Sequence, residues 1–381
     1  MLLTEEHHNI RKTVRDFAER EIKPLARELD EKAEFSISLT KRMGELGFFG
    51  IRTSHEYGGL DMDTLSYVIA VEELARVDGS QAATLAAHIS LGIGPIMNYG
   101  TEEQKKKYLP MLSAGEGLWA FGLTEPDAGS DSRATKTTAR LEGDQWVIAG
   151  SKIFITNGAS AMNKGATVQV VSGDQDGQKE FSTILVDADT PGFRRVSMQG
   201  KMMWRASDTA QLFFDNCRVP ASNLLGKRGE GSKIMLNTLD SGRLAIAAMG
   251  LGCAQGAFEM ALKYAKQRKQ FGKPIGHFQV IAFKLADMAT KIELARNLLY
   301  KGAWLKSNSQ PFAKEAAMAK LYCSEIAKEV ADEAVQIFGG YGLMKDYDIE
   351  RFYRDQRLLQ IGEGTSEIQR LVISRYIGVY D

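Results

Sequence analysis

The sequence predicts a mostly helical α+β protein that runs as helices, then a β unit, then a helical bundle. Three observations predict it. Apolar residues recur at helical spacing in the first third, and short β-prone runs separated by turn clusters fill the middle. The last third returns to the helical period, with no proline over 221–273 or 312–381, as long bundle helices require. The expected segments are an N-terminal helical domain (1–117), a middle β-barrel or sandwich domain (118–228) and a C-terminal four-helix-type bundle (229–381).

In the first segment Ile10, Val14, Phe17 and Ala18 mark an amphipathic helix, and Pro24 and Pro95 punctuate the pattern. A second helix is expected over 61–77, with Leu65, Val68, Ile69 and Val71–Leu74 as its apolar face. In the middle, Trp146–Ala149, Ile153–Ile155, Thr167–Val171, Ser182–Val186 and Gln211–Phe214 read as strands. Asn157-Gly158 and the stretch 173–177 read as turns. In the last segment, small residues crowd 245–252, which lets helices approach closely. A crevice is expected where the β unit meets the bundle.

Bulk properties exclude several classes of function. The chain has 381 residues, 44% hydrophobic and 25% charged, the composition of an ordinary globular protein. Forty-eight basic residues balance forty-eight acidic ones, so no overall field draws the chain to nucleic acid or an anionic membrane. No apolar run approaches the roughly 20 residues that span a bilayer, and the first residues lack a signal-peptide core. Membrane insertion is therefore not expected, and the expected location is the cytoplasm. Cys217, Cys253 and Cys323 are odd in number and far apart, which suggests buried thiols in a reducing compartment. The five histidines show no metal-ligand spacing, so no metal is expected; His7 and His8 are expected on an exposed first helix.

Five segments are candidates for chemistry. Glu363 sits between two glycines ahead of a helix on which Ser366 and Gln369 are expected to form a capping box. Such a carboxylate suits a base that points into a cavity, and equally a solvated acid favoured by the helix dipole. Phe121–Asp131, with two glycines, a proline and hydroxyls, suits a ligand-binding loop or a plain structural turn. Lys152–Gly158 ends a strand with the aromatic Phe154, a hydroxyl and a turn. Lys266–Pro274 carries four cations near a helix end, either a diphosphate clamp or charges favoured by the dipole. Gln336–Gly342 breaks a helical region with three glycines in four residues, and no βαβ unit surrounds it. Asp240 and Arg243, three apart on a helix, have the spacing of a modest surface pair.

In this order, Thr124–Asp131, Ile155–Gly158, Arg268–Gly272, Gly339–Gly342 and Glu363–Ser366 resemble the acyl-CoA dehydrogenase family of flavoproteins. The match runs along essentially the whole chain, to Ile377-Gly378. The resemblance implies the three-domain fold, usually a homotetramer, with FAD between the β domain and the bundle. It implies that Leu123, Thr124 and Thr156 contact the isoalloxazine ring and that Phe154 walls it, where many members carry tryptophan. Arg268, Phe271, Gln336 and Gly340 would reach the FAD of a neighbouring subunit, and Thr365 and Glu367 would meet the nucleotide. Ser130, Asp240, Arg243 and Gly364 would contact the acyl-CoA substrate.

The chemistry implied is removal of the α-proton by Glu363 and transfer of the β-hydride to flavin N5, giving a trans-2-enoyl-CoA. Desolvation of the carboxylate would raise its basicity, and hydrogen bonds to the thioester oxygen would stabilise the enolate. Some branches carry the base on the helix of Asp240 and Arg243, at the position of Gly242 here, which cannot serve. Short- or medium-chain substrates are therefore expected, with an electron-transfer flavoprotein as acceptor. The alternatives are an acyl-CoA oxidase that uses oxygen and a silent FAD- or CoA-binding relative.

Overall fold

The computed structural model describes residues 3–175 and 177–379. The first helix, α1 (Glu5–Phe17), starts at Thr4, whose hydroxyl and backbone form a reciprocal capping box with His7. His7 is buried, not exposed as the sequence suggested: its Nε2 lies 3.1 Å from Asp63 Oδ2. A π-helical turn (Ala18–Ile22) leads into α2 (Lys23–Lys32), followed by α3 (Ile37–Glu45).

Asp63 also caps α4 (Thr64–Ala75) through Ser66 N at 2.7 Å. The helix expected over 61–77 is thus shorter, and every one of its residues is buried. It has no solvent face because α1 and two helices of the bundle pack around it. Helices α5 (Gly79–Ala87), α6 (Gly94–Tyr99) and α7 (Glu102–Ser113) complete the first segment, with a π-helical stretch (His88–Ile93) between α5 and α6.

The middle segment forms one curled seven-stranded sheet: β1 (Leu118–Gly122), β2 (Thr138–Glu142), β3 (Gln145–Thr156), β4 (Asn163–Gln175), β5 (Gln178–Asp187), β6 (Phe193–Ser197) and β7 (Thr209–Pro220). The order is β1-β4-β2-β3-β7-β6, with β5 paired to β4. The two runs 146–149 and 153–155 are one long strand, β3. Three strands were not anticipated. β1 is buried at every position and shows no alternation, whereas β2 and β6 are too polar to stand out. The turn expected over 173–177 is narrower, since β4 and β5 still pair at Gln175 and Gln178; residue 176 lies outside the described residues.

The bundle consists of α8 (Gly231–Gln267), α9 (Gln279–Ser307), α10 (Ala313–Phe338) and α12 (Ser366–Tyr376), with α11 (Ile349–Asp355) on the chain's way to the last helix. A two-stranded hairpin, β8 (Lys269–Gln270) and β9 (Lys273–Pro274), joins α8 to α9. The small residues on α8 do what their size predicts. A Cβ on Gly250 would lie 2.7 Å from Cys323 O, and one on Gly252 would lie 2.3 Å from Glu72 O. Any larger residue would therefore push α8 away from α10 or α4. Helix α8 is long and apolar enough on average to cross a membrane by length and composition, although polar residues break its apolar run well short of a span. However, 78% of its apolar window is buried inside the protein, which marks it as the core helix.

The β unit docks on the helices through specific bonds. Trp119 N donates to His88 Nδ1 (3.1 Å), Asn157 Nδ2 to Thr84 O (3.0 Å) and Trp204 N to Asp355 Oδ1 (2.7 Å).

Candidate active site

Glu363 lies in a tight turn between a 3₁₀ segment (Gln356–Gln360) and α12. Of its two flanking glycines only Gly364 is left-handed (φ +93°), and Glu363 itself is left-handed too (φ +54°), a conformation that is strained for a residue with a side chain. The helix cap is Thr365, not Ser366: Thr365 Oγ1 accepts from Ile368 N at 3.3 Å. No capping box forms. Gln369 falls one turn position too late for it and turns inward, donating to Glu363 O (3.3 Å) and Gly364 O (2.9 Å).

The carboxylate of Glu363 points at α8. A Cβ on Gly242 would come within 1.8 Å of Glu363 Oε2, and within 3.3 Å of Leu91 Cδ2, so only glycine leaves room for the acid. Oε2 is buried and has no hydrogen-bond partner among the described residues. Burial raises the Glu363 carboxyl to about 7, against the pull of Lys320 and Arg243. Such a desolvated carboxylate suits a base better than a solvated acid.

Asp240 and Arg243 lie on the same helix face region of α8, but they are not a surface pair. Arg243 is only 6% exposed and donates from Nη1 to Asp240 Oδ1, while its Nε has no partner among the described residues. Burial raises the Asp240 carboxyl, with Arg243 and Lys306 opposing. Lys306, which the sequence did not single out, donates to Ser241 Oγ at 2.5 Å, and burial lowers its ammonium to about 7.

On the β side, Leu123 and Thr124 follow β1, and Phe154 and Thr156 end β3. Ile153 N donates to Thr124 O at 2.9 Å, which brings the two pairs side by side. The register of β3 against β7 shifts between Lys152 and Ile155, and in that bulge Phe154 adopts φ +61° and stays 65% exposed. The ledge is held from beneath by a buried pair missing from the sequence reading. Lys152 Nζ donates to Glu125 Oε1 (2.8 Å) and Leu123 O (3.1 Å), and Glu125 also accepts from Lys136 N and Thr137 N. Part of the loop over 121–131 is thus an internal staple, while Ser130 is exposed on it. A bare aromatic face beside backbone and hydroxyl groups fits a flat heteroaromatic cofactor such as the flavin of FAD. Phe121, Leu123 and Met235, with Leu91 and Leu239, form an apolar cluster linking this ledge to α8.

The remaining predicted residues fall elsewhere. Thr365 caps α12 and Glu367 is exposed in its first turn. Arg268, Phe271, Gln336 and Gly340 are all exposed, and Arg268 stands over the Tyr341 ring at 5.5 Å. At 1.5 Å rise per residue, α8 separates Gly242 from Arg268 by about 39 Å. One copy of the chain does not bring this group to Glu363. Sequence reasoning also missed Lys320 on α10, which is fully buried and donates to Gly364 O at 2.6 Å. A signal for it existed: Ala316, Ala317, Cys323 and Ser324, its neighbours at three and four residues, form one small, buried helix face.

Comparisons with known proteins establish the family. Models for the N-terminal, middle and C-terminal domains of acyl-CoA dehydrogenases match residues 4–116, 120–217 and 229–378. A short-chain-specific acyl-CoA dehydrogenase of Clostridium acetobutylicum is 48% identical over 372 residues, 98% of each chain. The solved butyryl-CoA dehydrogenase of Megasphaera elsdenii matches with a TM-score of 0.96 and 42% identity over 99% of both chains. An acyl-CoA dehydrogenase of Bacillus anthracis solved with FAD matches with a TM-score of 0.92 and 38% identity, over 98% of this chain and 67% of that one. The chain belongs to the acyl-CoA dehydrogenase family and is an FAD-dependent enzyme that dehydrogenates acyl-CoA thioesters.

Proposed function

We propose that Glu363 is the base that removes the α-proton of a short, straight-chain acyl-CoA such as butyryl-CoA. The observation that carries this reading is the buried, unpartnered Oε2 of Glu363, facing Gly242 at the seam between the last helix and α8. Near neutral pH a carboxyl with a value of about 7 is substantially ionised, yet basic enough to take a proton from a thioester's α-carbon. Bound FAD supplies the acceptor for the β-hydride. Leu123, Thr124, Phe154 and Thr156 would form the ledge for its ring, with Thr365 and Glu367 toward the nucleotide. Asp240, Arg243, Ser130 and Gly364 would hold the CoA thioester. With substrate bound, the apolar cluster of Leu91, Phe121, Met235 and Leu239 would help keep water from the base.

The short chain length rests on the short-chain and butyryl-CoA dehydrogenases among the relatives and on the small residue, Gly242, that α8 sets against the carboxylate. A Cβ on Gly242 would meet both Glu363 Oε2 and Leu91 Cδ2, and Tyr67 of α4, whose hydroxyl is tied to Ala86 O at 2.8 Å, feels the carboxylate's charge. Arg268, Phe271, Gln336 and Gly340 would complete the FAD site of a neighbouring copy in a homotetramer. Phe271, Val280, Phe283 and Leu343 leave large apolar side chains exposed there, which suits such an interface. The electron acceptor would be an electron-transfer flavoprotein, and the three buried free cysteines suit a reducing cytoplasm.

The test is an anaerobic titration of the yellow protein with acyl-CoAs of increasing length and branching. Bleaching of the flavin band by butyryl-CoA at the lowest concentrations is the expected result. A stronger response to long, branched or dicarboxylic substrates overturns the substrate assignment, and rapid turnover with oxygen alone overturns the acceptor.

A further inference from the structure

Two buried donors converge on the turn that carries Glu363, and the roles assigned above use neither. Lys320, on α10, is 0% exposed and its Nζ donates to Gly364 O at 2.6 Å. Gln369, on α12 and equally enclosed, donates from Nε2 to the same oxygen at 2.9 Å and to Glu363 O at 3.3 Å. A Cβ on Gly364 would lie 2.7 Å from Gln369 Nε2, so glycine is what admits the amide. The two side chains reach the turn from different helices and clamp both of its left-handed residues.

An ammonium enclosed in protein is expensive unless something answers its charge. The carbonyl of Gly364 answers with a dipole only. The charge that faces Lys320 most strongly is Glu363 itself; Arg243 on α8 opposes it, and Glu367 and Glu325 contribute less. Around Glu363 the charged groups are Lys320 on α10 and Arg243 on α8, while Tyr67 on α4 feels the carboxylate.

Resting on the assignment of Glu363 as the base, we propose that Lys320 and Gln369 are its positioning residues. They hold the strained turn in place, and the ammonium of Lys320 favours the ionised carboxylate. Gln369 supplies the geometric part alone, because it carries no charge. Lys320 supplies both parts. In support, burial pulls the Lys320 ammonium down to about 8 while Glu363 holds it up, so the cation persists near neutral pH beside a carboxyl at about 7.

The experiment compares Lys320→Met, Lys320→Arg, Gln369→Leu and Glu363→Gln with the wild-type holoenzyme, following butyryl-CoA dehydrogenation from pH 6 to 9.5. Lys320→Met keeps length and apolar packing while removing donor and charge. It should move the acid limb of kcat/KM up by at least half a pH unit and lower kcat at least tenfold at pH 8, with KM within threefold. Lys320→Arg should leave the limb where it is, because the charge stays. Gln369→Leu should lower kcat without moving the limb. A folded, FAD-loaded Lys320→Met enzyme with wild-type kcat and an unmoved limb overturns the proposal. So does a limb that shifts equally in Lys320→Arg. If Lys320→Met does not fold, wild-type kcat in Gln369→Leu overturns it instead. Normal turnover by Glu363→Gln removes the base assignment and this inference with it, whereas an inactive Glu363→Gln beside an unchanged Lys320→Met removes the positioning role alone.

Discussion

The turn around Glu363 and the region around Phe271 are both glycine-bearing breaks next to long helices, and the fold treats them oppositely. At Glu363 the backbone of the turn is tied within the chain, and only the carboxylate Oε2 is left without a partner among the described residues. Lys320 and Gln369 hold the carbonyls, Thr365 caps the next helix, and α8 presents Gly242 to the carboxylate. At Phe271 nothing among the described residues closes over the ring. The side chain is 92% exposed and meets Phe278 edge-on at 6.0 Å, and a Cβ on Gly339 or Gly340 would meet open space. A glycine-rich motif that is buried and strained reads as a site finished by its own chain. One that leaves a bare aromatic ring reads as half of a site.

The largest expected effect breaks the buried side of that comparison. Glu363→Gln should retain FAD and lose dehydrogenation by about 10⁴-fold, the upper range for removing a general base. Stopped-flow reduction of the flavin by butyryl-CoA measures it, and near-normal reduction would sink the assignment. In the wild type, kcat/KM should fall as pH drops through about 7, where the base takes up its proton.

The same substitution should stabilise the protein, for a reason that follows from the sign of the shift. Folding raises the Glu363 carboxyl from 4.5 to about 7, so the folded state is penalised for ionising it. Below pH 4.5 both states are protonated and there is no penalty. Between 4.5 and 7 the penalty grows, and above 7 it is fully present, with an upper bound of about 3 kcal/mol. Glutamine carries no such penalty. Thermal unfolding of the two proteins should therefore diverge in favour of the variant at pH 8.5 and converge toward pH 5. Equal divergence at both values would show that the carboxyl is not desolvated.

The open side is broken by Phe271→Ala. If the ring buries itself against a neighbouring copy, removing it should weaken FAD retention and subunit association about 30-fold, the scale of an aromatic anchor at an interface. Sedimentation at micromolar protein and the FAD-to-protein ratio after gel filtration report both. An unchanged assembly would mean that this surface is finished by something other than a second copy.

Much of this contrast was legible in the sequence. Helical periodicity marked the first and last segments, and the crowding of small residues over 245–252 foretold how closely α8 meets α4 and α10. The glycines around Glu363 signalled an unusual turn. What the sequence concealed were interactions that depend on the third dimension. A lysine reads as solvated from sequence alone, so the burial of Lys320 on α10 and of Lys152 on β3 escaped notice, although both are fully buried. Ser366 is by propensity at least as good a cap as Thr365, so the sequence could not show that Thr365 caps the helix while Gln369 turns inward. Asp240 and Arg243 have the spacing of a surface pair, and burial by packed helices is invisible to spacing. Strands as uniformly apolar as β1 or as polar as β2 lack the alternation that identifies a strand.

The smallest expected effect sharpens the comparison from the flavin side. Phe154 stands in a left-handed bulge that any aromatic residue would strain alike, so Phe154→Trp changes the exposed ring and little else. Dehydrogenation should change less than about threefold, because the bulge, the Glu125–Lys152 staple and the carboxylate of Glu363 are untouched. The new indole adds a fluorophore to the four tryptophans already present, three of which are buried. Were the ledge the wall of the flavin, its emission would be bright in FAD-free protein and quenched when FAD is restored. Equal emission with and without FAD would place the cofactor elsewhere. The exposed ring at 154 would then be, like that of Phe271, a surface waiting for another chain, and the contrast between the two regions would rest on Glu363 alone.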